Sequence, residues 1–219
     1  MKRNTSRCIL AMTVLVLVSS GCTPFSSLLG GGLPLQDDFS SDGSGWATGT
    51  DSDSAIEYLN GGLNMVVFTQ NYFVWSTPNG ADYENVHIEV TVINNGTDPT
   101  TAFGFICNQQ VVENSFYYFA ITPGREYAIV RAQSGLTDVF LTNNDQWATS
   151  DLIPQNAASY RIGADCGNGT HTLYVDGQQI ASVTDTTYGI GGVGLFTWSG
   201  EEVSSADVTF DDFVMTKLP

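Results

Sequence analysis

The stretch "SFYYFAITPGREYAIVRA", residues 115–132, contains two apolar runs that are separated by a Pro-Gly corner. Successive side chains of an extended strand point to opposite faces, so Phe116 and Tyr118 are expected on one face of the first strand. Tyr117 and Phe119 are expected on the other face. One of these aromatic faces can be the core of the protein. The surroundings of the second face bear on function.

Strand-like runs continue on both sides of this stretch, with Gly and Asn punctuating the chain every 8 to 12 residues or so, a spacing typical of a β-sandwich or barrel. The run "VHIEVTVI" (86–93) alternates apolar and polar residues, and Asp176-Gly177 is a strong signal for a hairpin turn. About a dozen such runs exceed one immunoglobulin-type domain and favour a larger fold. The sequence therefore predicts an all-β, two-sheet antiparallel jelly-roll sandwich.

The first 22 residues have the features of an export leader. Lys2, Arg3 and Arg7 form a basic start, and residues 9–18 form an apolar segment. That segment is too short to cross a bilayer, which needs about 20 apolar residues. Residues 1–22 are therefore predicted to be a signal peptide and are left out of the fold prediction.

The leader ends in "SSGC" (19–22), which resembles the lipobox of bacterial lipoproteins, although Ser19 stands where that motif usually has an aliphatic residue. The resemblance implies cleavage before Cys22 and lipidation of its thiol. Residues 23–34 contain Ser, a Gly triplet and Pro and are predicted to be a flexible tether. We expect an extracytoplasmic protein of the cell envelope, attached to a bacterial membrane through the lipid only; free secretion is the alternative.

The chain is strongly acidic. It has seven basic and 23 acidic residues; three of the basic residues lie in the leader, so the mature chain has four against 23, a net charge of −19. Such a charge argues against nucleic acid, whose recognition needs Lys and Arg on the phosphates, and against anionic lipid head groups. A neutral ligand, a cation or a basic partner is compatible with it, and so is a role in solubility alone.

Two cysteines, Cys107 and Cys166, remain after Cys8 leaves with the leader and Cys22 takes the lipid. An even pair in an oxidising compartment predicts one disulfide. It would close a loop of about 60 residues and stabilise the fold by about 4 kcal/mol through chain entropy.

Several segments in order resemble the concanavalin A-like lectin/glucanase superfamily, and within it the laminin G-like and DUF1080-like sandwich domains of bacterial surface proteins. The segments are "DDFS…GW" (37–46), "NYFVWST" (71–77), "LYVDGQQIASV" (173–183), "VGLF" (193–196) and "FDDFVM" (210–215). The resemblance implies one sandwich domain over residues 35–219. This superfamily includes sugar-binding modules, glycosidases and adhesive domains, so the function has to be argued from a site.

Catalysis is not expected from the motifs. The glucanases of this superfamily carry Glu-x-Asp-x-x-Glu on one strand, whose outer carboxylates perform the chemistry. The comparable strand here, "VHIEVTVI", offers Glu89 alone, and no Ser-His-Asp order, HExxH motif or Gly-rich phosphate loop is present. Glu89 is interpreted as a solvated residue of the strand face. A carboxylate pair from separate strands, Glu89 with Asp165, is the alternative.

A ligand face is predicted on the aromatic strands. If Phe103, Phe105 and Cys107 face the core, Asn108 faces outward, and we expect Tyr117 on the next strand to share that side. Arg131 is expected to reach the same surface.

Trp75, on another aromatic strand, and Glu89 complete the candidate ligand-binding residues. Aromatic rings stack on the apolar faces of sugars, while amide and guanidinium groups bind hydroxyls. The alternative is that these rings form a second layer of packing.

Four aspartates lie at the ends of the domain: Asp37, Asp38, Asp211 and Asp212. Terminal strands usually pair in this fold, so these carboxylates are expected to converge and to repel one another unless bridged. They form a candidate site for structural Ca²⁺, which prefers oxygen ligands. The alternative is that adjacent aspartates point to opposite faces and half are solvated.

These observations predict a noncatalytic envelope lipoprotein whose leading ligand is a neutral polysaccharide or other glycan. A glycoside hydrolase-type enzyme of the same superfamily is one alternative. A structural or adhesive protein that binds another protein is the other.

Overall fold

The computed structural model describes residue 33 and residues 35–78, 80–200 and 205–219, and nearly all of their regular structure is β-strand. In chain order the strands are β1 (Leu35–Asp37), β2 (Gly49–Thr50), β3 (Ser54–Leu59), β4 (Gly62–Val67), β5 (Phe73–Ser76), β6 (Val86–Asn94), β7 (Ala102–Gln110), β8 (Ser115–Ile121), β9 (Glu126–Gln133), β10 (Val139–Phe140), β11 (Ala148–Thr149), β12 (Ser159–Gly167), β13 (Thr170–Val175), β14 (Gln178–Thr184), β15 (Gly192–Trp198) and β16 (Ala206–Lys217). One 3₁₀ turn, Asp42–Ser44, lies between β1 and β2.

The strands form two antiparallel sheets. The nine-stranded sheet has the order β14-β13-β12-β6-β16-β4-β3-β2, with β1 paired to β16. The seven-stranded sheet has the order β10-β9-β8-β7-β15-β5, with β11 paired to β9. Strands that are distant in sequence pair within each sheet, as in a jelly roll, so the predicted all-β two-sheet sandwich is confirmed.

The main core lies between the sheets and is supplied by every second residue of the facing strands. On β6, Val86, Ile88, Val90 and Val92 are buried in it, so the alternation seen in the sequence is confirmed. Their polar neighbours on β6 are more exposed and point away from the core.

Pairing between β7 and β8 determines which aromatic face is buried. Cys107 pairs with Tyr117 and Phe105 pairs with Phe119, and residues directly opposite each other in an antiparallel pair share a face. Because Phe105 and Cys107 face the core, Tyr117 and Phe119 face it too, and each is 0% exposed. The expectation that Tyr117 shares the outward side of the sheet is therefore wrong.

The predicted disulfide is confirmed: Cys107 on β7 is bonded to Cys166 on β12. β7 belongs to the seven-stranded sheet and β12 to the nine-stranded sheet, so the bond crosses the core and joins the two layers. Both cysteines are buried, with their Cα atoms 6.2 Å apart.

Three N-terminal predictions fall on residues that the structure does not describe. These are the signal peptide 1–22, lipidation at Cys22 and, apart from Leu33, the tether 23–34. Among the described residues, no helix is long and apolar enough to cross a membrane.

Candidate ligand-binding groove

A second apolar cluster lies on the outer face of the seven-stranded sheet, on the side opposite the main core. β8 contributes Phe116 and Tyr118, which alternate with the core residues Tyr117 and Phe119. The neighbouring strands contribute the other rings: Phe73 and Trp75 from β5, and Phe196 and Trp198 from β15. Pairing of Phe196 with Trp75, and of Trp198 with Phe73, brings these four rings together.

The floor of this aromatic surface depends on Gly104 of β7. Gly104 pairs with Phe196 of β15 and with Ala120 of β8. A Cβ atom at position 104 would lie 1.8 Å from the carbonyl oxygen of Phe119 and 3.3 Å from the Phe196 ring. The absence of a side chain therefore lets the Phe196 ring lie close to the sheet, where it stacks on Phe73 with the ring centroids 4.6 Å apart.

Loops at the edge of the sheet turn the surface into a groove. Trp147, between β10 and β11, lies nearly parallel to Trp198, with ring centroids 6.5 Å apart and an interplanar angle of 13°. Phe140 of β10 packs against Trp147. The enclosed space is about 450 Å³, within the range of about 300–1,000 Å³ that is usual for ligand sites. We refer to this space, with the rings of β5, β8 and β15 and the loop residues around it, as the aromatic groove.

The aromatic groove contains few polar groups. The Tyr118 hydroxyl donates to Asp138 Oδ2 over 2.9 Å. Burial raises the pKa of Asp138, although the hydrogen bond from Tyr118 opposes this, and burial and the Asp138 charge raise the pKa of Tyr118. Asn71 Oδ1 accepts the Trp198 indole N–H over 3.2 Å. Asn114 and Gln133 also line the groove.

This arrangement suits a ligand that has both apolar faces and hydroxyl or amine groups. Sugar rings have this character, because their C–H faces stack on aromatic rings while their polar groups need hydrogen-bond partners. Asp138 is the one carboxylate among the described residues that line the cavity. Hydrolysis of a glycosidic bond usually needs two carboxylates that flank the bond.

Of the five predicted ligand-binding residues, Trp75 alone lines the aromatic groove. It is 36% exposed and packs against Phe73 and Phe116. The other aromatic residues of the groove were missed. Phe116 and Tyr118 follow the same alternation as Tyr117 but in the opposite phase, and Phe196 and Trp198 alternate within "GLFTW".

Asn108 lies at a bulge in β7, where the register with β8 shifts between Cys107 and Gln110. Its backbone has a φ of 52°, and its side chain donates to the carbonyl oxygen of Gly189. The residue is 7% exposed and is not part of the aromatic groove. The bulge interrupts the alternation on which its predicted outward orientation depended.

Tyr117 and Arg131 meet at Asp185 on the core side of the sheet. The Tyr117 hydroxyl donates to Asp185 Oδ1 and Arg131 donates to Asp185 Oδ2, each over 2.6 Å. Burial would raise the pKa of Asp185, but hydrogen bonds from Tyr117 and Thr187 and the charge of Arg131 hold it below its ordinary value. These contacts hold the segment after β14 against β8 and β9. Arg131 therefore shares a surface with Tyr117, as expected, but this surface is the core side of the sheet and not the aromatic groove.

Glu89 lies on the outer face of the nine-stranded sheet, away from the aromatic groove. It pairs with Arg161 over 3.1 Å and lies 3.4 Å from His87. Burial would raise its pKa, but hydrogen bonds and charges from Arg161 and His87 lower it. Asp165 lies on the same face and contacts His87 over 2.6 Å and the Tyr174 hydroxyl over 2.7 Å. His87 thus lies between the two carboxylates of the proposed pair.

The terminal strands pair as expected, with Asp37 of β1 opposite Phe213 of β16. Asp37, Asp38 and Asp212 line one polar cavity, whereas Asp211 lines a different one. The Asp37 carboxylate is already engaged by the Trp46 indole over 2.8 Å.

Across the residues that the structure describes, no group of three or more His, Cys, Asp or Glu side chains is arranged to hold a metal ion. Calcium binding at the acidic ends stays a prediction.

No protein-family model matches the chain, and no curated protein matches it. Solved structures do match. The carbohydrate-binding module CBM66 from Bacillus subtilis is 12% identical, with a TM-score of 0.60 over 80% of this chain and 96% of that chain. A Bacillus subtilis protein of unknown function with a galectin-like fold is 12% identical, with a TM-score of 0.61 over 85% of this chain and 96% of that chain. The β-glucanase of Bacillus licheniformis is 13% identical, with a TM-score of 0.55 over 86% of this chain and 99% of that chain.

These structures have the same two-sheet architecture as this chain, at sequence identities that establish the fold alone. The fold predicted from the resemblance is confirmed by them.

Proposed function

We propose that this chain, which has the concanavalin A-like jelly-roll fold, is a noncatalytic glycan-binding domain that holds a sugar chain in the aromatic groove. The observation that carries the proposal is the set of rings on the outer face of the seven-stranded sheet. Trp75, Trp147 and Trp198 are at least partly exposed there, although large apolar side chains are usually buried. Sugar-binding and glycan-cleaving proteins among the structural matches support the same class of ligand.

Binding is favoured over hydrolysis by the chemistry of the aromatic groove. A retaining glycosidase places two carboxyl groups about 5–5.5 Å apart on either side of the scissile bond. Asp138 has no second carboxylate beside it among the described residues of the groove. The acidic pair that the sequence suggested, Glu89 and Asp165, lies on the other sheet and is engaged by Arg161, His87 and Tyr174.

Replacing Trp198 by alanine tests the proposal. Loss of the indole removes one stacking surface from the aromatic groove. For a polysaccharide that binds the unmodified chain, we therefore expect the affinity to fall at least tenfold, which corresponds to about 1.4 kcal/mol. Affinity electrophoresis against a panel of soluble polysaccharides measures the retention of the mature chain and of Trp198→Ala.

The matched control is Phe68→Ala. Phe68 is an aromatic residue that is 48% exposed and lies outside the aromatic groove. Its variant is expected to bind like the unmodified protein. If Trp198→Ala and Phe68→Ala are retained equally by the same polysaccharide, the aromatic groove is not the binding site.

The structural or adhesive alternative predicts a different result. It expects no retention on any polysaccharide, and an interaction with an envelope protein that Trp198→Ala weakens. Aromatic residues are enriched in protein–protein interfaces, so the aromatic groove is also suited to binding another protein.

We also propose that the domain is displayed outside the cytoplasm by a lipid on Cys22, on the basis of the leader and its "SSGC" end. Metabolic labelling with a palmitate analogue in a bacterial host is expected to mark the unmodified chain and to be lost in Cys22→Ser. Cys8→Ser, a cysteine change within the leader, is the control and is expected to keep the label. Labelling that persists in Cys22→Ser would contradict the lipoprotein assignment.

A further inference from the structure

The charge around the aromatic groove is one-sided. Among the described residues that line it, Asp138 is acidic and none is Lys, Arg or His. The three arginines of the domain are paired elsewhere: Arg125 with Asp151, Arg131 with Asp185 and Arg161 with Glu89. The fourth basic residue of the mature chain, Lys217, lies on β16 of the other sheet. An anionic glycan would find no basic partner in the groove.

Asp138 has no cationic partner among the described residues. Its Oδ2 atom accepts the hydrogen bond from Tyr118, and the five ion pairs between described residues do not include it. The residue is partly buried and lines the aromatic groove. A partly buried carboxylate without a cationic partner is costly, and a cation brought by the ligand would remove that cost.

The rings around Asp138 favour the same kind of ligand. The face of an indole attracts a cation within about 6 Å of the ring centroid, and Trp is the strongest of the aromatic side chains in this respect. Trp147 and Trp198 lie nearly parallel in the aromatic groove, which Asp138 also lines. A ligand that fills the groove and carries a cation can therefore use both the carboxylate and the indole faces.

From this charge complementarity we infer that the aromatic groove selects glycans that carry protonated amino groups, with the ammonium group bound by Asp138 and the sugar rings stacked on the indoles. This inference rests on the proposed function and deepens it, because it names the class of sugar. The neutral glycan expected from the sequence becomes the weaker ligand.

Three oligosaccharides with the same β-1,4-linked backbone and six sugar units test the inference. They differ at the C2 substituent: glucosamine carries an ammonium group, N-acetylglucosamine a neutral amide, and glucose a hydroxyl. Titration calorimetry at about pH 5.5 keeps the amine protonated, and salt of about 0.15 M screens long-range attraction by the acidic chain. We expect the glucosamine hexamer to bind at least tenfold more tightly than either neutral hexamer.

Asp138→Asn keeps the shape of the side chain and removes its charge. We expect this variant to lose the tenfold preference for the glucosamine hexamer over the two neutral hexamers. Asp82→Asn is the matched control, because Asp82 is exposed and does not line the aromatic groove, and it is expected to keep the preference. Nonspecific attraction between the positively charged glucosamine hexamer and the acidic chain would persist in Trp198→Ala. Binding in the aromatic groove is expected to be lost in that variant.

The outcomes separate the two proposals. Equal affinity for all three hexamers, or a preference that Asp138→Asn leaves intact, overturns the inference and leaves glycan binding in the aromatic groove standing. If Trp198→Ala binds the hexamers as tightly as the unmodified chain does, both glycan binding in the aromatic groove and the selection of amino sugars are overturned.

Discussion

Replacement of Tyr117 by alanine is expected to lower the free energy of unfolding by about 4 kcal/mol, in the range that is usual for the loss of a large aromatic ring from a core. The Tyr117 ring is fully buried between the sheets, with its centroid 4.1 Å from the His171 ring and 5.1 Å from the Tyr188 ring. Denaturation in urea, followed by tryptophan fluorescence, measures the loss.

Tyr117→Phe separates stability from binding. It keeps the ring and removes the hydroxyl, which donates to Asp185 and accepts the backbone N–H of Tyr188 over 3.0 Å. We expect a loss of about 1–2 kcal/mol, because two partners lose a hydrogen bond. Binding of a polysaccharide by the folded variant is expected to be unchanged. If Tyr117→Phe folds but no longer binds the polysaccharide, the ligand site lies on the core side of the sheet and not in the aromatic groove.

Removal of the disulfide is expected to have an effect of similar size. The bond between Cys107 and Cys166 closes a loop with a sequence separation of 59 residues. Opening a loop of that length frees the unfolded chain and is expected to lower the free energy of unfolding by about 4 kcal/mol. For a domain of this size the melting temperature should fall by about 10 °C. Differential scanning calorimetry of Cys107→Ala/Cys166→Ala measures both quantities.

The reduced protein is the control for this double variant, since it lacks the bond but keeps both sulfur atoms. A melting temperature close to that of the double variant assigns the effect to the bond. If the reduced protein melts like the oxidised one, the bond does not contribute the expected stabilisation.

The strand architecture could be predicted because its signals are local. Alternation in "VHIEVTVI" (86–93) depends only on the pleat of one strand. It puts Val86, Ile88, Val90 and Val92 on one face, and that face is buried in the core. Phe103, Phe105 and Cys107, whose core orientation was the condition for the predicted ligand face, are also buried there. In a chain that is predicted to be exported, two cysteines can pair only with each other, so the disulfide also followed from residue identity.

The phase of alternation between neighbouring strands could not be predicted in this way. The residues after Ser115 in "SFYYFAI" (115–121) are all aromatic or apolar, so the pattern itself does not say which set faces inward. The register of β8 against β7 decides this, and a shift of one residue exchanges all the side chains between the two faces. The prediction placed Tyr117 outward because that register was not known.

The aromatic groove depends on contacts between segments that are distant in the chain. Trp147 and Asp138 lie in loops, where no periodicity indicates their orientation, and they reach β15 and β8 through tertiary packing. Asn108 was assigned outward by alternation, but a bulge turned it toward Gly189. Local chemistry and strand period are properties of short segments, so they can be deduced from residue order. Which faces meet, and what they enclose, follows from register and loop packing, since those contacts form only when remote parts of the chain are brought together.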